Sequence, residues 1–475
     1  MSEDKSQKLK KLLGNTLLFA IGQFGSALVS ILFVPIYTNS MTTAEYGTAD
    51  LVNNLVTMLF PLLTLSITDG IMKFSLDGRH NIKEVFSVSM LVCCIGMAVG
   101  IAAYPLIVVY GEIAEYIVLF YFILITRVIQ NLFLAYVRAL QKLKLYSVVA
   151  VTNTLVLSVS NVVTIVFLKM GVWGYLLSIV LGNVISGIVA LIAGKLWRYI
   201  GISGLKKQMT KEMVTFSLPL IPNNFSMWAM SSMDKYMLTG MLDVSYNGLY
   251  TAAHKIPSIV SIFAAVFNQA WNYSALEEQR SQNQQEYYRA VFNIYSCYLF
   301  LIASAVMCVV RPVMLVWMGE AFREAWIYTP YLFVSTIFSC LIGFYVPLFV
   351  IAQKTQMLFI STVVGAAVNL VLNACLIPLW GINGASLATV ATYVVVWIIR
   401  GMVVRKYTDV VLNEKKAYLN AALLLIQGTM LIFIDVYWWV VQVLFLLVLV
   451  AVDWNEIKAL LRRVVSMAQR VKRSR

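Results

Sequence analysis

Apolar runs about twenty residues long recur from one end of the 475-residue chain to the other. A hydrocarbon core ~30 Å thick is crossed by one helix of roughly 20 apolar residues. Such runs, repeated, leave one architecture open: an all-α polytopic membrane protein. Composition agrees, with 60% hydrophobic residues, 12% charged residues and a mean hydropathy of +0.81. A soluble chain is roughly half apolar and one-quarter charged, so a soluble enzyme, a disordered protein and a disulfide scaffold are excluded. The six cysteines, Cys93, Cys94, Cys297, Cys308, Cys340 and Cys375, all lie inside apolar runs. There they read as small apolar residues and report nothing about the redox compartment.

The runs place spans at 12–36, 48–68, 85–109, 114–136, 146–168 and 172–194, then a basic break at Lys195–Lys211. The series resumes at 214–239, 247–272, 290–318, 327–351, 357–379, 384–404, 417–434 and 437–452, which makes fourteen. Lys5, Lys8, Lys10 and Lys11 precede the first run in the manner of a signal peptide. That run is too long for an h-region and lacks a small-residue cleavage site, so it reads as a retained first span. Short cytoplasmic loops concentrate Lys and Arg. With the N-terminus inside, and with Arg400 counted in the loop that follows the twelfth span, thirty of the 36 Lys and Arg residues fall in inside segments and two in outside loops. The remaining four, Arg127, Lys235, Lys255 and Arg311, fall within spans. Both termini are therefore expected on the cytoplasmic side of the membrane. The net charge of +14 is explained by loops, so no nucleic-acid partner is expected. The tail from Lys458 to Arg475 reads as a juxtamembrane segment facing anionic lipid. No outside loop exceeds about a dozen residues, which argues against an enzyme with a large exported catalytic loop.

An internal repeat organises the spans. Ala44-Glu45-Tyr46-Gly47, before the second span, is matched by Ser245-Tyr246-Asn247-Gly248, after the seventh, each setting an aromatic residue and a glycine in a tight external turn. Pro61 is matched by Pro257, and Gly171-Val-Trp-Gly174 by Gly381-Ile-Asn-Gly384. The offsets are 201, 196 and 210. Two six-helix lobes follow, 1–194 and 214–404, joined by the linker 195–213 and trailed by two extra helices and a basic tail in 405–475. Six is even, so both lobes enter the membrane in the same orientation, which is a parallel repeat.

Several stretches then resemble Wzx-type polysaccharide flippases: Asn15-Thr16-Leu17-Leu18-Phe19 through Pro35-Ile36-Tyr37-Thr38-Asn39, Ala44-Glu45-Tyr46-Gly47, Ile221-Pro222-Asn223, Ser232-Met233-Asp234-Lys235-Tyr236, Tyr250 with Lys255-Ile256-Pro257, and Gln269-Ala270-Trp271. The resemblance covers nearly the whole chain. It implies membership of a superfamily that also holds MATE drug exporters and lipid II flippases. It further implies rocking of two lobes and an undecaprenyl-pyrophosphate-linked oligosaccharide as substrate. A polysaccharide polymerase or assembly complex is left open as a partner beside the membrane lipids.

Ionisable residues inside spans usually face a cavity or a partner. Arg127, Lys235, Lys255 and Arg311 are the candidate substrate-binding residues, since Arg offers a bidentate fork and Lys a point charge to a pyrophosphate. The bland alternative is ion pairing or snorkelling. Among the acids, Asp234, Asp69 and Asp50 are the candidates for protonation coupling, with Asp234 the best placed. Asp69 stands at i, i+4 to Lys73, where an ion pair is expected. Asp50 reads as a capping residue of the second span. Pro61 and Pro257 are hinge candidates, with a static kink as the alternative. Trp271 and Tyr273 read as an interfacial belt or a stacking platform for sugar. Two histidines, His80 and His254, far apart in sequence, suggest no zinc site. No P-loop motif is present, so neither a cofactor nor ATP hydrolysis is expected. The rival readings are a cation-coupled drug exporter of the same fold, and a membrane glycan polymerase or ligase.

The topology is open to direct test. Cysteines introduced at Thr42, Asp243 and Asn383 are expected to react with an impermeant maleimide added outside intact cells. Those at Gln208 and Asn413 are expected to react only after the membrane is opened. Labelling at 208 in intact cells would break the fourteen-span map.

Overall fold

In lipid a helix satisfies its own backbone N–H and C=O groups, which a single strand cannot. The described residues form helices and contain no strand. The computed structural model describes residue 25 and residues 29–77, 80–105, 111–199, 201, 205–408 and 410–458. The basic run Lys5 to Lys11, most of the first expected span and the tail after Lys458 lie outside the described residues. What is described of the first span is the helix Val29–Ser40.

Each later span coincides with a helix or a broken pair of helices. Among the described residues eight helices are long and apolar enough to cross a membrane, or up to 10 if each bent pair is one span. The others fall short for visible reasons. Leu220–Met241, the seventh span, carries Asn223, Asn224, Asp234 and Lys235. Trp438–Val452, the last, has 15 residues. Thr355–Tyr407 is continuous over 53 residues, which at ~1.5 Å per residue would more than double a bilayer core. It is two spans folded back on each other. Gly381 takes φ 55 inside it, and a Cβ on Gly384 would lie 2.1 Å from the carbonyl oxygen of Leu376. Gly171, the repeat partner of Gly381, opens the sixth span with φ 52.

The chain packs as two compact units, Met1–Thr251 with Gly319–Phe322, and Ala252–Met318 with Arg323–Arg475. In the first unit the second span begins at Thr43 under a capping box. Thr42 Oγ1 accepts from the Glu45 N–H at 3.2 Å, and Glu45 Oε2 accepts from the Thr42 N–H at 2.8 Å. Three residues beyond Pro61 the helix breaks, with Leu65 and Ser66 at φ 48 and 50. Thr43–Leu63 and Ile67–Leu76 meet at a 51° bend. Around the lower segment Ile71, Val85, Phe86, Tyr136, Val137 and Met213 form a buried core. The fifth and sixth spans are joined by polar groups, Asn153 Nδ2 donating to Ser186 Oγ at 3.2 Å, a common adhesive between helices in lipid.

One close backbone contact within this unit pairs the two repeat motifs. A Cβ on Gly47 would sit 2.2 Å from the carbonyl oxygen of Val244, and one on Gly248 would sit 1.9 Å from that of Thr43. Each glycine therefore presses on the residue four positions before the other. The arrangement is symmetric, and the matching Tyr46-Gly47 and Asn247-Gly248 of the sequence repeat are its two halves. Asn247 Nδ2 closes it by donating to Gly47 O at 2.9 Å.

In the second unit the eighth span is interrupted at His254–Pro257, the place that matches the break after Pro61, and Pro257 stands as N-cap of Ser258–Glu277. A proline there gives up no helical hydrogen bond. Trp271 is fully buried. Its ring stacks on Phe344 at 4.3 Å, and Nε1 donates to Phe344 O at 2.8 Å. It is a packing anchor, and neither the belt nor the sugar platform expected of it. The two C-terminal helices are held to the ninth span by buried amides. Ser304 Oγ donates to Gln427 Oε1 at 2.8 Å, and Gln442 Nε2 to Gln427 O at 3.1 Å.

Gly248→Ala is expected to lower unfolding stability in detergent by about 1–3 kcal/mol, because a methyl group meets backbone that cannot yield. Gly240, with nothing within 4 Å of its Cβ position, supplies the control. Gly240→Ala is expected to leave the melting temperature unchanged or raise it.

Candidate functional site

Arg127 lies midway along the fourth span, Ile117–Ala139. The second span faces it with Asn53 and Thr57, four residues apart and so on one face. Arg127 Nη2 donates to Asn53 Oδ1 at 2.7 Å and Nη1 to Thr57 Oγ1 at 3.1 Å. Both acceptors are neutral. No carboxylate among the described residues reaches ion-pair distance. A half-buried guanidinium in this position keeps its full charge, at a cost of ~2.5–3.5 kcal/mol on insertion scales. A phosphate-bearing ligand would offset that cost.

Lys235 differs. Its Nζ donates to both oxygens of Asp50, at 3.1 and 3.0 Å, with side chains 15% and 13% exposed. Tyr236 OH braces the same place by donating to Leu51 O at 3.1 Å. The charge of Lys235 is thereby cancelled. The cap expected of Asp50 is supplied by Thr42 and Glu45 instead, since the helix starts earlier and leaves Asp50 in its third turn. Asp234, one residue from Lys235 and turned ~100° away, is buried and accepts from the Tyr250 hydroxyl.

Asp69 does not pair with Lys73. It accepts from Asn224 Nδ2 at 3.1 Å, and Asn224 also reaches Ser66 Oγ at 3.2 Å. Lys73 Nζ instead sits 3.7 Å from the centre of the Phe216 ring. The i, i+4 rule describes an isolated helix. Here the segment after the break packs on residues 216–224, which supply better partners to both. In the second unit Arg311 pairs with Asp435 at 3.0 Å and lies 4.6 Å from Trp326 and 5.6 Å from Trp438. This is the interfacial arrangement, a cation held among aromatic rings at a helix end. Lys255 is half-buried within the break of the eighth span.

Sequence reasoning missed Arg400, which it counted with the cytoplasmic loop that follows the twelfth span. The residue is 7% exposed. Its guanidinium donates to Ser361 Oγ at 3.0 Å, Thr362 Oγ1 at 3.1 Å and Ile342 O at 3.2 Å. Its place inside 384–404 was the available signal. Both Arg127 and Arg400 are thus answered by neutral oxygens.

A family model described as polysaccharide biosynthesis protein matches residues 12–272. No curated protein matches the sequence. Among solved structures the fold is similar to a lipid II flippase, MurJ, in an inward closed conformation, at 13% identity and TM-score 0.61, over 94% of this chain and 100% of that one. It is also similar to an outward-facing multidrug resistance MATE family transporter of the MOP superfamily, at 14% and 0.60, over 82% and 95%. A third is a MOP superfamily transporter from Pyrococcus furiosus, at 13% and 0.57, over 83% and 96%. At such identities the likeness is one of fold.

The Asp50–Lys235 pair is expected to behave as a buried pair. Removing either partner strands the other, at about 3–5 kcal/mol, whereas replacing both by apolar residues is close to neutral. Asp50→Leu and Lys235→Met alone are therefore expected to reduce the folded protein recovered from membranes. The double variant is expected to recover most of it, as read by size-exclusion of a fluorescent fusion.

Proposed function

This chain belongs to the polysaccharide biosynthesis protein family, and on that premise we propose that it translocates undecaprenyl-pyrophosphate-linked oligosaccharide repeat units. The membrane is the bacterial cytoplasmic membrane, and the product serves assembly of a surface polysaccharide such as O-antigen, capsule or exopolysaccharide. The observation that carries this reading is Arg127, a guanidinium within the membrane whose acceptors, Asn53 and Thr57, are neutral. A pyrophosphate supplies the missing negative charge, and the planar fork of Arg suits two of its oxygens. The solved flippase of similar fold, MurJ, is named for another lipid, lipid II.

In this reading the protein is a carrier with no covalent step of its own. Lobes 1–194 and 214–404 alternate access, both termini stay cytoplasmic, and Pro61 and Pro257 permit bending at the breaks beside them. A cation-coupled drug exporter needs an unpaired acid for its cargo. Asp50 is paired with Lys235, Asp234 holds the Tyr250 hydroxyl and Asp69 shares its pocket with the cation Arg138, so none of these acids stands in excess for that rival.

The test is genetic and chemical together. A deletion strain is expected to accumulate undecaprenyl-linked repeat units, identified by mass spectrometry, and to lose its surface polysaccharide. Loss of one charge-assisted contact is worth ~1.5–3 kcal/mol, or about ten- to a hundredfold in affinity. Arg127→Ala is thus expected to fail in complementation with normal protein in the membrane, while Arg127→Lys restores part of the function. Full complementation by Arg127→Ala would overturn the role of Arg127. A deletion strain with no lipid-linked intermediate would overturn the function itself.

A further inference from the structure

The first unit holds a cavity of about 370 Å³ that borders the Arg127 site but belongs to none of the roles above. Its polar lining is Thr68, Asp69, Asn131, Arg138 and Tyr146, completed by apolar residues of the second and fourth spans. Asn131, Leu134, Ala135 and Arg138 follow Arg127 at i+4, i+7, i+8 and i+11, so Arg127 and the cavity share one face of the fourth span. Asn131 Nδ2 donates to the Arg127 carbonyl at 3.0 Å, which leaves its amide oxygen as an acceptor. Arg127 and Asn131 are about one turn apart, ~6 Å along the axis. That is about the step from a pyrophosphate to the sugar bonded directly to it.

The charges say what kind of ligand fits. The cavity has one cation, Arg138, and one acid, Asp69, with no ion pair between them among the described residues. A phosphate site would show an excess of cations, and a site for an organic cation an excess of acids. Balanced charge, an amide, two hydroxyl groups and apolar walls suit a polyol ring, whose hydroxyls both donate and accept. Asp69 has one oxygen committed to Asn224, which orients the carboxylate and leaves the other for a hydroxyl. The volume lies at the small end of ligand pockets, ~300–1,000 Å³, room for about one or two sugar rings.

From this we infer that the cavity is a saccharide subsite that receives the reducing-end sugar of the cargo while Arg127 holds the pyrophosphate. The inference rests on the flippase reading and adds to it a specificity site: Thr68, Asp69, Asn131 and Arg138 select the first sugar.

The experiment measures binding by thermophoresis to the full-length protein in lipid nanodiscs. The probes are undecaprenyl pyrophosphate alone and the same lipid bearing a single hexose, N-acetylhexosamine or hexuronic acid. The unaltered protein is expected to bind at least one sugar-bearing lipid about tenfold more tightly than the bare one. Asn131→Leu, close to isosteric, and Ala135→Phe, which fills the cavity, are expected to abolish that preference. Both should keep the bare lipid within about twofold and leave the melting temperature near that of the unaltered protein. Equal affinity of the unaltered protein for all four lipids overturns the subsite and leaves the pyrophosphate reading standing. Variants that lose bare and sugar-bearing lipids alike also overturn it. Failure of the unaltered protein to bind any of them overturns both readings.

Discussion

Lipid neither screens charge nor donates hydrogen bonds, so each polar group in a span must be answered from within the protein. This constraint sorts the charged residues into three groups. Most Lys and Arg residues are in loops, where water answers them. Lys235 and Arg311 are paired with carboxylates. Arg127 and Arg400 are answered by neutral oxygens and keep their charge. Removing the acids that quench Lys235 and Arg311 from the account would suggest a broadly cationic interior. Including them leaves more local positive charge, at Arg127 in the first unit and Arg400 in the second.

The same scarcity of partners explains how the helices hold together. Between helices in lipid there is little hydrophobic drive, and close approach of backbones and interhelical hydrogen bonds do the holding. Gly47 and Gly248 do the first, each against the other's preceding turn. Gln427, bridging Ser304 and Gln442, does the second, and helps fasten the two C-terminal helices to the ninth span. The breaks after Pro61 and before Pro257 stand near these contacts in sequence, so rigid packing and a bend alternate along the same spans.

Several side chains were misread because their partners lie far away in sequence. Asp50 and Lys235 are 185 residues apart, and Asp69 and Asn224 are 155 apart. No local rule pairs such residues. The i, i+4 expectation for Asp69 and Lys73 failed for the complementary reason: a tertiary neighbour offered each a better contact than its helix did. Arg400 was assigned to water because it stands near a span end, where depth within the membrane is least legible from spacing.

The sequence by itself determined the helical membrane architecture, because apolar runs of span length have one way to satisfy their backbone in lipid. It also made glycines and prolines legible at matching offsets, because turns and close contacts need glycine and kinks favour proline. Tertiary structure decided which charges survive. An ion pair depends on which spans become neighbours and on which face each residue stands, and those two facts arise only when the helices pack. That is why Lys235 and Arg127, alike in sequence as cations within spans, differ in the fold: one meets a carboxylate and the other only an amide and a hydroxyl.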